Sequence, residues 1–166
     1  ITKDLEYIQK SSKIFAKKYE GNVLKLNSKK LINAISDLEK IDEKMDKVLS
    51  FANLLVAQDN DHEQNKIFFQ QMKEKITTYS SLLIFFNLEL NELNEKKLNF
   101  LLKDKKLSKY KTWIMNRRLF KPHQLEKNLE KLLQDKTITS SNAWIRLFDE
   151  SISTLRFPLK NKKLTS

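Results

Sequence analysis

Apolar residues recur every three or four positions along two long segments of the chain, which places them on one face of a helix. The first segment begins at Asn27 or Ser28, either of which suits a helix N-cap, and its apolar positions are Leu31, Ile35, Leu38, Ile41, Met45, Val48, Ala52 and Leu55. The second continues to about Leu90, and its apolar positions are Phe69, Met72, Ile76, Tyr79, Leu83, Phe86 and Leu90. Residues 58–61 form a polar turn between them. The pattern therefore predicts a long antiparallel helical hairpin.

Shorter elements flank this hairpin. An amphipathic helix precedes it and ends at Gly21, which suits the left-handed conformation of a helix C-terminus. Later helices are expected to begin at Asn94, at Ser108, after Pro122 and at Ser140 or Ser141, and residues 154–164 read as a possible small β-hairpin. The expected fold is all-α, with residues 1–166 forming one helical domain.

The composition supports this fold and excludes several classes of function. The chain has one glycine, two prolines and no cysteine. It therefore has neither the glycines of a phosphate-binding loop nor a thiolate for catalysis or metal binding. No apolar run is long enough to span a bilayer, and the chain does not begin like a secreted precursor. We expect a cytoplasmic protein with no membrane partner, and both ends of the chain look cut from a longer protein.

The net charge of +11 is concentrated in residues 96–121, which contain ten basic residues and one acidic residue, Asp104. One interpretation is a patch that binds nucleic acid or another anionic surface. The other, which we favour, is a solvated helical face, because arginine is scarce and arginine is the side chain that best recognises phosphate. No specific nucleic-acid partner is therefore predicted.

The segment His62-Glu63-Gln64-Asn65-Lys66 matches four of the five positions of the zinc-protease signature H-E-x-x-H. The fifth position is a lysine where a zinc ligand is required. The second histidine, His123, lies on another segment, and a catalytic zinc needs three protein ligands. We interpret the segment as a helix start, with Asp61 as N-cap and Gln64 completing a capping box.

No catalytic, cofactor-binding or metal-binding residue is predicted in this chain. His123 follows Pro122 and is expected to fix a turn through a hydrogen bond rather than to act as a base, because no nucleophile accompanies it. Four aromatic residues at helical spacing, Tyr110, Trp113, Trp144 and Phe148, are typical of core positions.

Four phrases, taken in order and spacing, resemble the N-terminal region of oligoendopeptidase F and related thimet-oligopeptidase-type zinc metallopeptidases. They are YEGN at residues 19–22, FFNLELNEL at 85–93, LSKYKTWIMNRRLFKPHQLEKNLEKLL at 107–133 and AWIRLFDESISTLRF at 143–157. The resemblance extends over nearly the whole chain. Departures are small: Asn22 stands where the family usually has lysine, and Glu126 where a small capping residue is common.

The resemblance implies that this chain is the non-catalytic N-terminal piece of a bacterial peptidase whose zinc and H-E-x-x-H lie in a downstream catalytic domain. In that family the N-terminal region helps to wall a channel that admits short peptides. The partners implied are the catalytic remainder of the parent chain and, through it, peptide substrates. Two other classes stay open: a helical coiled-coil-like interaction module, and a basic nucleic-acid or anionic-surface binder.

A domain separated from such a partner has apolar surface left bare. The candidates are residues 144–157 and one side of the hairpin, which carries apolar residues away from its main seam: Ile32, Leu49, Val56, Phe68, Leu82 and Phe85. Because a helix with two apolar stripes needs neighbours on two sides, we expect the isolated chain to self-associate or to bind the remainder of its parent.

Overall fold

The computed structural model describes residues 1–59, 62–159 and 162–165. Eight α-helices lie in these ranges: α1 Thr2–Tyr19, α2 Ser28–Gln58, α3 Glu63–Ser80, α4 Ile84–Glu92, α5 Glu95–Leu101, α6 Lys111–Arg118, α7 Lys127–Lys136 and α8 Ser141–Thr154. Short 3₁₀ turns occupy Val23–Lys25, Leu107–Tyr110 and Lys121–His123. Strands β1 Arg156–Leu159 and β2 Lys162–Thr165 pair antiparallel after the last helix. The all-α fold class is confirmed.

Helix α2 is the central element, and it packs against α1 on one side and α3 on the other. Every residue of its predicted apolar line except Leu55 is buried. Helix α1 contributes Ile8, Phe15 and Tyr19 to the same core. Burying an aliphatic side chain of this size contributes about 1.5–3 kcal/mol, so this one face of α2 accounts for much of the stabilisation of the fold.

The two predicted long helices form the expected hairpin, but the second of them is shorter than its apolar line. The sequence predicts one helix to about Leu90, whereas α3 ends at Ser80 and α4 begins at Ile84. The hydroxyls of Ser80 and Ser81 donate hydrogen bonds to the carbonyls of Thr77 and Thr78, both at 3.0 Å. Such side-chain bonds to backbone groups compete with the helical ladder, and here they accompany a turn.

Two of the predicted helix starts are confirmed by their caps. The side-chain oxygen of Asn27 accepts a hydrogen bond from the Lys30 amide at 2.9 Å, and that of Asn94 accepts one from the Lys97 amide at 2.7 Å. Each such cap stabilises a helix by about 1 kcal/mol.

Two other predicted starts are displaced. Asp61 lies outside the described residues, and the N-cap position of α3 is occupied by His62, whose side chain makes no capping hydrogen bond. Ser108 lies inside a 3₁₀ turn, and α6 begins only at Lys111. The preceding turn is closed by Asp104, whose carboxylate accepts a hydrogen bond from the Lys106 amide at 2.8 Å. That local side-chain bond is the reason the helix begins later than the serine suggests.

Because of the break at Ser80, α4 crosses the end of α1. The rings of Phe85 and Phe86 lie 5.9 Å and 5.4 Å from the ring of Phe15. The core then continues through α5 and the turn before α6 and ends at Ile114. Beyond Ile114, none of the side chains that the structure describes is buried, and this change separates a well-packed part of the chain from an uncovered one.

Candidate docking surface and interhelical cleft

Helices α7 and α8 each expose an apolar face. We call them together the terminal apolar faces and define them by six residues that are between 47% and 71% exposed: Leu129, Leu132 and Leu133 on α7, and Trp144, Leu147 and Phe148 on α8. Their spacing of three and four positions is typical of a helix face that packs against a neighbour. In the described part of the chain, no element covers either face.

The amount of surface exposed by these faces is large for a small protein. An aromatic side chain presents about 150–250 Å², and the six half-exposed residues together offer roughly 600 Å², divided between two helices. Single exposed apolar residues are normal, but apolar faces of about 300 Å² each are of a size that often marks interaction sites. The terminal apolar faces are therefore a candidate docking surface.

The predicted core role of the four aromatic residues is half wrong. Tyr110 and Trp113 are partly buried against the core, whereas Trp144 and Phe148 are 71% and 62% exposed. Helical periodicity marks an apolar face but does not say whether the neighbour that covers it belongs to the same chain.

The position of α7 is fixed by its polar side. Lys127 pairs with Glu20, and the Gln134 side chain donates to the hydroxyl of Ser80 at 3.2 Å. Glu130 accepts a hydrogen bond from the Leu125 amide at 2.8 Å and so closes the turn before the helix. Because these contacts hold the opposite side of α7 against α4 and α3, its leucines are presented to solvent by the fold.

Helix α8 packs only loosely on the rest of the described chain. An open cleft of about 400 Å³ lies between it and the end of the helical hairpin, lined on the hairpin by Val56 and Phe69 and on α8 by Ile145, Phe148 and Ile152. Most of the hairpin's off-seam apolar residues are instead covered: Ile32, Leu49 and Phe68 pack against the core and Phe85 lies within it. The prediction of a bare hairpin side is thus wrong along most of its length and holds only near the end, at Phe51, Leu54 and Ile67.

Glu89 connects the first two sequence phrases, residues 19–22 and 85–93, through hydrogen bonds. Its carboxylate accepts hydrogen bonds from the amides of Gly21 at 2.7 Å and Val23 at 3.1 Å. Gly21 has φ +72°, a left-handed conformation that glycine adopts without strain. That conformation turns the backbone after α1 so that the amides of Gly21 and Val23, two positions apart, both point at one anion. Sequence reasoning missed this role of Glu89, although the glycine turn and the glutamate occur in two of the phrases that carry the resemblance.

The third phrase, residues 107–133, also contacts helix α4. Arg118 donates from Nη1 to the carbonyls of Leu90 at 3.3 Å and Asn91 at 3.0 Å, close to the C-terminus of α4. A cation there adds a donor to the last carbonyls of the helix, of which that of Leu90 also accepts from the Leu93 amide, and complements the helix dipole. Helix α4 is therefore the point at which the phrases converge.

The turn at Lys121–His123 is held by the side chain of Gln124, whereas the sequence predicts that His123 holds it. Gln124 accepts a hydrogen bond from Asn91 Nδ2 at 2.9 Å and donates to the carbonyl of Leu88 at 3.4 Å. The side chain of His123 is exposed and lines a cleft. A side-chain hydrogen bond does hold the turn, as predicted, but it comes from Gln124 and not from His123. Spacing alone does not show which of two adjacent polar side chains points inward.

That cleft, of about 570 Å³, lies between α4 and α6. Its lining includes Asn87, Asn91, Trp113, Arg117 and His123. The Arg117 guanidinium lies 5.0 Å from the centre of the Trp113 ring, within the range of a cation–π interaction. We call this the carboxamide cleft, after its two asparagines.

The near-signature at residues 62–66 forms no metal site in the structure. His62 and Glu63 are exposed at the start of α3, and Asn65 ties that start to α2 by donating to the Leu55 carbonyl at 3.0 Å. Within residues 1–59, 62–159 and 162–165, no cluster of three histidine or carboxylate side chains could hold a metal ion. The described residues therefore offer no set of three donors for a zinc ion.

The basic stretch 96–121 is partly used inside the fold. Lys97 donates to the Leu24 carbonyl, Arg118 to α4, and Arg117 lies against Trp113. The ten cations are therefore not all available to one external ligand.

Arg117 also acts on a carboxylate of α2. The pKa of Asp42 is raised to about 6, first by burial and then by the neighbouring charge of Asp46, while the charge of Arg117 opposes the rise. The contact between α2 and α6 thus contains a carboxylate that ionises with difficulty.

Comparison with protein families identifies the segment that contains most of these features. The model of the family Oligopeptidase F matches residues 89–157. Residues 89–157 therefore resemble the N-terminal region of oligopeptidase F, and we call them the oligopeptidase F-like region. The matched part is less than half of the chain. It holds both terminal apolar faces, and it begins at Glu89, the residue that binds the Gly21 turn.

The resemblance carried by the sequence phrases is confirmed over this oligopeptidase F-like region. The phrases at 107–133 and 143–157 lie wholly inside it, whereas residues 19–22 lie outside. No curated protein and no solved structure matched the chain. None of the helices in the described part combines the length and apolar character needed to cross a bilayer.

Proposed function

We propose that this chain is the non-catalytic N-terminal domain of a zinc-dependent oligoendopeptidase and docks on the catalytic remainder of its parent. The observation that carries this proposal is the pair of terminal apolar faces, which lie within the oligopeptidase F-like region and have no partner in the described chain. A domain that functions alone would gain stability by covering such surface, at about 25 cal/mol per Å².

The docked domain would help to wall the channel through which short peptides reach the metal. Zinc would be held by residues outside this chain, a proposal supported by the absence of a three-donor cluster among the described residues. The part of the domain that contains the buried core, α1 to α6, would form the outer layer, and α7 and α8 would meet the catalytic part. We place this activity in the cytoplasm and assign peptides as the substrates of the parent enzyme.

A binding measurement between the 166-residue chain and the separately produced remainder of its parent tests the docking. We expect isothermal titration calorimetry to show one-to-one binding. The paired substitutions Trp144→Ser and Phe148→Ser should weaken binding at least about tenfold, because exposed aromatic anchors are typical hot spots of interfaces. Both side chains are exposed, so the variant should keep the fold.

The matched control is Ile14→Ser, which removes a 54%-exposed apolar side chain from α1, outside the oligopeptidase F-like region. It should leave the affinity unchanged. Light scattering of the chain alone should reveal self-association that the paired substitutions reduce. A strictly monomeric chain that ignores the remainder at tens of micromolar would refute the docking, and a parent gene without H-E-x-x-H downstream would refute the peptidase assignment.

A further inference from the structure

The carboxamide cleft contains two hydrogen-bond acceptors that have no partner in the protein. The Oδ1 atoms of Asn87 and Asn91 are both buried and unbonded. Asn91 is only 5% exposed, and its Nδ2 is already engaged by Gln124. Leaving a buried acceptor unpaired costs about 1–3 kcal/mol, so two on one wall of a cleft indicate a place where a ligand supplies the donors.

The spacing of these acceptors restricts what the ligand can be. Asn87 and Asn91 are four residues apart on α4, which separates them by about 6 Å along the helix. The N–H groups on one edge of an extended polypeptide repeat every second residue, or about 6.7 Å. The two distances agree closely enough for both acceptors to bind donors on the same edge of one strand.

We propose that the carboxamide cleft binds the main chain of an extended polypeptide segment, two of whose N–H groups donate to Asn87 and Asn91. The Trp113 ring lies on the cleft wall beside them and would contact a side chain of the segment. Since neither oxygen contacts solvent in this conformation, binding requires movement of side chains at the cleft. Phe120, which is 71% exposed, lines the cleft, and rotation of its side chain is the movement we expect to open the wall.

This site is separate from the docking role, because the carboxamide cleft lies between α4 and α6 and none of the six residues of the terminal apolar faces lines it. It can be tested on the 166-residue chain alone. A negative result here leaves the docking proposal standing, and a failure of docking leaves this site standing.

The test uses two peptides that differ only in their donors: acetyl-tetraalanine amide, and the same peptide with every alanine nitrogen methylated. Nuclear magnetic resonance titration follows the side-chain amide signals of Asn87 and Asn91. We expect the first peptide to shift these signals with a dissociation constant on the order of 1 mM. The methylated peptide should bind at least about fivefold more weakly, the loss expected for hydrogen bonds worth about 1 kcal/mol.

Variants assign the effect to the acceptors. Asn87→Ala should weaken binding of the first peptide about fivefold, and Asn87→Asp, which keeps acceptor oxygens, should restore it. Asn116→Ala removes an exposed carboxamide from the same cleft and should change the affinity less than about twofold. Equal binding of the two peptides, or binding that ignores Asn87→Ala, overturns the proposal. So does the absence of any shift at about 20 mM peptide, which would mean that water alone satisfies the oxygens.

Discussion

Replacing Asp42 with asparagine should stabilise the protein, and the gain should depend on pH. Asp42 lies on α2 where α6 approaches, and its surroundings favour the neutral acid. Burial is the largest cause of its raised pKa, and the charge of Asp46 one turn later is the second. An asparagine has nearly the same shape and needs no proton to be neutral.

The magnitude follows from the difference between the folded pKa of about 6 and the ordinary value of 3.8. A difference of about two pH units corresponds to ~3 kcal/mol. Because Asp42 is only partly buried and Arg117 loses its attraction when the charge is removed, we expect a gain of ~1–2 kcal/mol after allowing for solvent screening.

The sign of the pH dependence is fixed by linkage. Since the folded pKa is raised, ionised Asp42 destabilises the folded state fully above pH 6, and this penalty is lost as the pH falls through the unfolded value of 3.8, below which the acid is neutral in both states. The advantage of Asp42→Asn should therefore be complete at pH 7–8, small at pH 4 and nearly absent at about pH 3.

Urea unfolding at several pH values measures this difference. With a urea slope of ~2 kcal/mol per molar, the midpoint of Asp42→Asn should exceed that of the wild type by ~0.5–1 M at pH 7.5. The control is Glu43→Gln, the exposed neighbour on the same helix, which should show no such pH-dependent gain. A midpoint shift that is zero or negative at pH 7.5, or one that is equal at pH 4 and pH 7.5, would refute the reasoning.

Two further predictions concern the contact of Glu89 with the Gly21 turn and the basic stretch. Glu89→Gln replaces one acceptor oxygen by a donor facing that turn, so it should lower the free energy of unfolding by ~1–3 kcal/mol and the melting temperature by ~2–4 °C per kcal/mol. In calorimetry the control Glu92→Gln, exposed on the same helix, should melt like the wild type, and an equal loss in both variants would contradict the role of Glu89. Residues 96–121 should give only weak, sequence-independent DNA binding that falls steeply with salt, by a slope of about 0.9 per phosphate contact; submicromolar selective binding in a fluorescence anisotropy assay at physiological salt would show that the basic stretch is a true nucleic-acid site.

The sequence predicts those parts of the fold that are encoded locally. The apolar face of α2 and the caps at Asn27 and Asn94 could be predicted because each depends on residues within one or two helical turns. The break at Ser80 could not be predicted from the apolar line, because that line continues through it at an unchanged spacing. The local signal is the pair Ser80 and Ser81, whose hydroxyls donate to backbone carbonyls at the turn.

The candidate sites were harder to predict. Glu89 binds a turn 68 positions earlier, and Gln124 fixes α4 from another segment, so neither role has a local sequence signature. For Trp144 and Phe148 the periodicity marks the apolar face, but whether the chain covers that face is decided by the arrangement of α7 and α8, which periodicity does not determine.

The bond between Glu89 and the Gly21 turn also bears on the order in which the protein folds. Helices α2 and α3 meet across a short turn and can pair early, whereas the Glu89 contact closes a loop of 68 residues. Closing it costs roughly 1.7 kcal/mol more in chain entropy than closing ten residues, so this contact should form late, on a hairpin that is already in place. The oligopeptidase F-like region would then depend on a preceding sequence that the family match does not include, and its buried residues from Leu90 to Ile114 would have no surface on which to condense without it.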